Sequence, residues 1–189
     1  LIMCRRKILV GFLGFFLFGT IHPLFCHELG FEYYRNYSYK EYGGQTQNWS
    51  ILQDKRGLIY VGNQIGLLEF DGVSWRKIGL PNKLVNSLAI DNTGKIYVGG
   101  TDEFGFLEPD SMGMLKYVSL LDYLDHDKRK FSYVWETHST QQGIYFKTSK
   151  YLFRWNPDQK KIDTWKADSK FHISFKCKGN LYVRQEGVG

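Results

Sequence analysis

The chain has 189 residues, 43% of them hydrophobic and 17% aromatic, which is enough apolar material for one ordinary domain and too much for a disordered segment. Its formal charge of +6 reflects 25 Lys and Arg against 19 Asp and Glu, and Arg5, Arg6 and Lys7 carry three of the cations. The remaining surplus is small and scattered, with Lys128-Arg129-Lys130 the one further cluster, so composition argues against nucleic-acid binding.

The basic trio runs directly into residues 8–18, "ILVGFLGFFLF". A charged start followed by an apolar run of this length is the pattern of a secretory signal. Residues 19–26, "GTIHPLFC", offer no clean small-x-small cleavage site, and Phe25 is bulky where a lipidated Cys26 needs a small neighbour. Residues 1–27 therefore read as a signal peptide or, with the apolar stretch extended to Cys26, an uncleaved membrane anchor. Either reading exports the remainder. Cys4 and Cys26 fall in this leader and leave Cys177 alone, which excludes an intrachain disulfide framework and a Cys-based zinc site. Cys177 is expected to pack within a strand.

Beyond the leader the sequence repeats itself. "ILQDKRGLIYVGN" (51–63), "LAIDNTGKIYVGG" (88–100), "THSTQQGIYFKTS" (137–149) and "SFKCKGNLYVRQE" (174–186) align on Tyr60, Tyr97, Tyr145 and Tyr182, at spacings of 37, 48 and 37 residues. Each unit holds an apolar run, a turn and an "IYVG"-like run, which together form a hairpin. A third run follows, "GLLEF", "GFLEP" or "YLFRW", then turn residues, then a segment with an aromatic at Trp75, Tyr117 or Trp165. Four short antiparallel strands per unit is the build of a propeller blade, and a period of this length marks a repeat architecture. The predicted fold is all-β, a partial β-propeller with blades near 46–80, 84–119, 131–167 and 171–189, within a domain spanning 28–189.

Alternation sends Ile59 and Val61 to one sheet face and Tyr60 to the other, so stacked blades bury both faces. Trp49, Tyr60, Gly66, Phe70, Asp71, Gly72, Trp75, Tyr97, Tyr145 and Tyr182 are accordingly read as repeat-structural. The longer interval contains "YVSLLDYLDHDKRKFSYVW" (117–135), where Leu120, Leu121 and Leu124 line a short helical turn and the whole is expected to be a solvated connector.

No catalytic pattern stands out. The histidines His22, His27, His126, His138 and His172 lack metal-ligand spacing, and Asp122, Asp125, His126 and Asp127 lack the turn glycine of a calcium loop. Glu69 and Glu108 hold the same place in successive units, which suits a repeat role better than a carboxylate pair. No cofactor or metal is expected. For ligand binding, Trp135, Trp155 and Trp165 are the candidates, because sugars favour aromatic platforms on propeller rims. Each also occupies a position suited to inter-blade packing.

These residues carry a family resemblance. "QNWSILQDKRGLIYVGN", "FGFLEPDSMGMLKYVSL" and the Gly-Leu-x-x-Phe-Asp-Gly-x-x-Trp pattern of Gly66, Leu67, Phe70, Asp71, Gly72 and Trp75 resemble the two-component regulator propeller repeats of exported bacterial sensor regions. The similarity covers about residues 45–189. It implies a sensor of external cues, often glycan fragments, on a periplasmic domain tethered to the inner membrane, with a histidine kinase or helix-turn-helix output. Three units and part of a fourth cannot close a ring, so the chain reads as the N-terminal piece of a longer receptor. Its expected partners are further C-terminal blades, output modules, a small carbohydrate and a second copy of the full-length receptor. A stand-alone exported propeller that binds or hydrolyses polysaccharide is the alternative.

Overall fold

Residues 34–188 are described in the computed structural model, and from Tyr37 onward they form one unit. The leader assigned to 1–27 lies outside the described residues. Among the described residues no helix is long and apolar enough to cross a membrane.

The first sheet comprises β1 (Asn48–Gln53), β2 (Ile59–Asn63), β3 (Gly66–Phe70) and β4 (Trp75–Ile78). A second holds β5 (Val85–Ile90), β6 (Ile96–Gly100), β7 (Phe104–Pro109) and β8 (Leu115–Ser119), and a third β9 (Glu136–Thr140), β10 (Gly143–Lys147), β11 (Tyr151–Asn156) and β12 (Lys161–Lys166). The hairpin of β13 (Phe171–Cys177) and β14 (Asn180–Gln185) completes the described strands. In every sheet consecutive strands pair antiparallel in chain order. The fold is all-β, a partial propeller of three four-strand blades and a two-strand hairpin, and β1, β5, β9 and β13 are the inner strands of successive blades.

Blade stacking follows the alternation of side chains. Tyr60, Leu67 and Ile78 of the first blade meet Val85, Ile96, Val98 and Leu107 of the second in one apolar cluster. Tyr97 and Phe104 of the second meet Ile144, Phe146 and Phe153 of the third in another, where Phe104 stacks on Phe146 at 4.5 Å between centroids. Each tyrosine thus faces the following blade, and the aliphatics on either side of it face the preceding one. Full burial of a large side chain contributes on the order of 2–3 kcal/mol, so these interfaces dominate the stability. Tyr182 has no following blade among the described residues; it stacks on Phe175 and is 49% exposed. On the outward face of the first blade, Tyr37 and Tyr42 pack against Trp75, which itself stacks on Phe70 at 4.5 Å.

A recurring turn sets the hairpins. Asp91 Oδ1 accepts the N–H groups of Thr93 (2.9 Å) and Lys95 (3.0 Å), and Gly94 takes a positive φ of 91° that a side chain would strain. Asp54 and Asp110 build the same turn on the N–H groups of Arg56 and Leu58, and of Met112 and Met114. Asp71 caps the "Asp-Gly" turn by accepting from Val73 and Ser74. Across strands three and four, Glu69 faces Arg76, Glu108 faces Lys116, and Arg154 faces Asp163. The ion pair is therefore a blade feature, with its polarity inverted in the third blade.

Two expectations are corrected. The connector after β8 is not a solvated loop: Leu120, Leu124, Phe131 and Val134 are all buried in the cluster between the second and third blades. Its charged stretch faces solvent, as Tyr123, Tyr133 and Trp135 do in part, while the buried residues cover the edge of that interface. Short 3-10 turns at Leu121–Tyr123 and His126–Lys128 bring the chain back. Cys177 ends β13 and is exposed, because no described strand covers that side of the hairpin.

Candidate functional site

The inner strands share an irregularity at one end. Register shifts occur between Asn48 and Ser50 in β1, between Val85 and Ser87 in β5, and between Phe171 and Ser174 in β13. In the third blade the Trp135 N–H bonds to the Lys147 carbonyl at 2.9 Å while Glu136 also pairs with Lys147, so two residues again oppose one. A bulge of this kind re-aims a side chain at a sheet edge. It places Trp49, Asn86, Trp135 and His172 at equivalent positions along one end of successive inner strands.

The third of these positions is the best-defined aromatic surface. Trp135 is 43% exposed, packs against Tyr133 at 5.0 Å, and donates its indole N–H to Ser149 Oγ at 3.2 Å. The segment that presents the pair is fixed from behind. Tyr133 bridges Thr101, and Asp102 Oδ1 accepts the N–H groups of Phe131 (2.6 Å) and Ser132 (2.5 Å). Asp102 and Ser132 both hold positive φ, 47° and 65°, a strain that surrounding contacts must enforce.

Below this end, neighbouring inner strands are tied by polar groups. Ser87 Oγ donates to the Val134 carbonyl and lies 2.7 Å from Thr137 Oγ1. In the next interface Lys147, only 1% exposed, donates to the His172 carbonyl at 2.6 Å and sits 3.4 Å from Glu136. Ser174 donates both its N–H and its hydroxyl to Glu136, and its Oγ is 2.8 Å from His138 Nε2. Burial would raise the Glu136 carboxyl, yet the adjacent His138 imidazole, the Ser174 donors and the Lys147 ammonium outweigh that and hold it at about 2. Serine, histidine and carboxylate meet here without forming a nucleophile triad. The carboxylate lies on the serine and on the same Nε2 edge of His138, whereas orienting an imidazole base requires the opposite nitrogen. The cluster is a latch between blades three and four.

Sequence reading missed Lys147 and its partners. The signal was in the alignment: Lys147 stands where Gly62 and Gly99 stand in the first two units. At those glycines the incoming strand leaves no room, since a Cβ on Gly99 would lie 2.5 Å from Val134 Cγ1 and 2.6 Å from Ser87 Oγ.

The three tryptophans proposed from sequence do not converge. Trp155 is 4% exposed and packs against Tyr123 in the core, so it offers no face to a ligand. Trp165 lies on the outermost strand, stacked over Tyr145 with the Arg154 guanidinium 5.4 Å from its ring. It is the full width of the sheet from Trp135, roughly 14 Å at normal strand spacing. Trp165 walls a groove of about 490 Å³ with Tyr145, Leu152, Phe171 and Leu181, the wedge between the third blade and the last hairpin. Trp49, read as purely structural, is 43% exposed at the bulge.

A larger groove of about 690 Å³ lies among the hairpin turns and is lined by Asp91, Thr93, Gln142, Asn156 and Lys176. Of its two acids, Asp91 and Asp158, Asp91 is occupied by the Thr93, Lys95 and Tyr97 donors, and Lys176 donates to the Ser139 carbonyl. Among the described residues no grouping of three His, Cys, Asp or Glu side chains is placed to hold a metal ion.

No family model matches the chain, and no curated protein registers a match. Its fold is similar to the extracellular domain of a hybrid two-component system from B. thetaiotaomicron, with a TM-score of 0.59 and 13% identity over 80% of this chain and 21% of that one. The extracellular domain of a one-component system from the same organism matches with a TM-score of 0.54 and 18% identity, over 73% of this chain and 19% of that one. Virginiamycin B lyase from Staphylococcus aureus matches with a TM-score of 0.51 and 15% identity, over 74% and 49%. At such identities the likeness establishes the fold alone. The chain spans about a fifth of the length of the two B. thetaiotaomicron domains.

Proposed function

We propose that this chain is extracytoplasmic sensor propeller of a bacterial signal-transduction receptor, one that recognises an external cue, a glycan, and relays it to a kinase or helix-turn-helix output. The observation that carries the reading is the blade fold shared with extracellular domains of both a hybrid two-component and a one-component system. The site chemistry agrees with recognition rather than turnover. Glu136, His138 and Ser174 are arranged as a latch, while Tyr133 and Trp135 keep aromatic surface open to solvent.

The test is genetic. An in-frame deletion of codons 37–188 in the native gene is compared with wild type by transcript profiling on single polysaccharide carbon sources. The expected result is loss of induction of a defined transcript set on one of them, with polysaccharide-cleaving activity in the uninduced periplasm unchanged. Unchanged transcripts together with loss of that cleaving activity would replace the sensor by a polysaccharide-cleaving propeller.

A further inference from the structure

We propose that the bulged end of the inner strands is a binding site for a neutral, hydroxyl-bearing ring of saccharide type, with Asn86 as its polar anchor and Trp49 and Trp135 as its flanking faces. The inference rests on the sensor reading and names the residues that hold the cue.

The register supplies the arrangement. Trp49 and Asn86 occupy the bulge position of β1 and β5, and Trp135 the equivalent place immediately before β9, on three inner strands in sequence around the blades. Blades one and two approach closely there, since a Cβ on Gly62 would come within 2.9 Å of the Val85 carbonyl. Asn86 is thus set between two half-exposed indoles on the neighbouring strands.

Asn86 itself is the unexplained residue. It is 5% exposed, yet its side-chain Oδ1 accepts no hydrogen bond. A buried amide oxygen without a donor destabilises a fold, and packing alone would select an apolar or aromatic residue at this position. Ser50 Oγ, next to Trp49, is likewise buried without a partner. Two of the three such atoms found among the described residues therefore fall within these two bulges.

The chemistry of the surroundings selects the ligand class. A free amide acceptor calls for an O–H or N–H donor. The charged groups nearest along the strands, Glu136 and Lys147, are engaged with each other and with Ser174 and His172, so neither is free to hold an ionic ligand. Indole faces suit a ring whose faces are C–H and whose rim carries hydroxyls. Trp135 is pre-oriented by Ser149 and Tyr133, which reduces the ordering cost of binding. Two non-glycine residues at positive φ, Lys83 and Ser132, lie on the segments that lead into β5 and β9. Strain of this kind concentrates at ligand sites.

The experiment applies the purified chain to an array of neutral and acidic oligosaccharides, then titrates each retained sugar by intrinsic tryptophan fluorescence. Retention of a neutral oligosaccharide is expected, with affinity reduced at least tenfold by Asn86→Ala and at least fivefold by Trp49→Ala or Trp135→Ala, and unchanged by Trp165→Ala. Asn86→Leu separates the roles: it should abolish binding while raising the melting temperature. Asn86→Ser covers the case in which the alanine variant does not fold. Equal binding by Asn86→Ala and Trp135→Ala overturns the site and leaves the sensor reading intact. Retention of acidic sugars only, or of none by the folded chain, also overturns it, whereas the sensor reading falls only if the transcript response is absent as well.

Discussion

Replacing Lys147 by methionine tests the inter-blade latch. Methionine fills nearly the same space but removes the ammonium, which is 1% exposed, together with its 2.6 Å bond to the His172 carbonyl and its 3.4 Å contact with Glu136. Breaking a fully buried ion pair by deleting one partner destabilises by about 3–5 kcal/mol. Glu136 retains the Ser174 donors and its side chain is 28% exposed, so the cost here falls toward the lower end, about 3 kcal/mol. For a chain of this size that corresponds to a melting temperature lower by about 6–12 °C. Urea and thermal unfolding followed by far-UV circular dichroism at pH 7 read the change. Adding Glu136→Gln to Lys147→Met should recover at least about 1 kcal/mol, because no unbalanced charge then remains. Lys147→Gly, which restores the residue of the first two blades, should be no milder than methionine. There the lysine itself fills the space that Val134, Ser87 and Thr137 fill around Gly99. A methionine variant within about 0.5 kcal/mol of wild type, or a double variant no better than the single, would refute the latch.

Acid should act through the same carboxylate. Glu136 binds its proton more weakly in the folded chain, at about 2 against an ordinary 4.5, so its stabilisation is complete above 4.5 and drains away as pH falls toward 2. Its contribution is on the order of 2–3 kcal/mol, and Glu136→Gln should flatten the stability profile between those pH values; an unchanged acid limb would exclude the residue as its source. Gly99→Ala should cost about 2–3 kcal/mol in urea unfolding, since the new methyl would sit 2.5 Å from Val134 Cγ1, 2.6 Å from Ser87 Oγ and 2.8 Å from Thr137 Oγ1; a neutral result would mean the strands are not so close. Arg154→Asp sets like charges opposite each other and should cost about 0.5–1 kcal/mol, and the swap Arg154→Asp with Asp163→Arg, which copies the polarity of the first two blades, should restore it. A swap no more stable than the single variant would show that the pair is not interchangeable between blades.

Much of the fold was legible because its determinants are local. The alternation around Tyr60, Tyr97 and Tyr145 predicts strands with two buried faces, and the structure buries each tyrosine at 7% exposure or less. Asp-x-x-Gly at Asp54 and Asp91 marks turns whose hydrogen bonds close within four residues. The bulge row was not legible, since a bulge is one added residue that breaks the period on which strand reading depends. Trp49 therefore looked like a packing residue, Trp135 could not be told apart from Trp155 and Trp165 as a binding candidate, and Asn86 looked like nothing in particular. The latch escaped for a different reason. Glu136 and Ser174 are separated by 38 residues and Lys147 and His172 by 25, so no local pattern links them.

The sequence by itself determined the blade: which runs become strands, which residues turn them, and which face of each strand is apolar. Those properties depend on side-chain period and on backbone preferences within a few residues. Only the tertiary structure decided which aromatics meet solvent. Trp155 and Trp135 both read from the sequence as candidate aromatic platforms, yet one is enclosed between blades and the other stands half-open beside a bulge. A residue's exposure depends on what the neighbouring blade covers, and that neighbour lies tens of residues away along the chain.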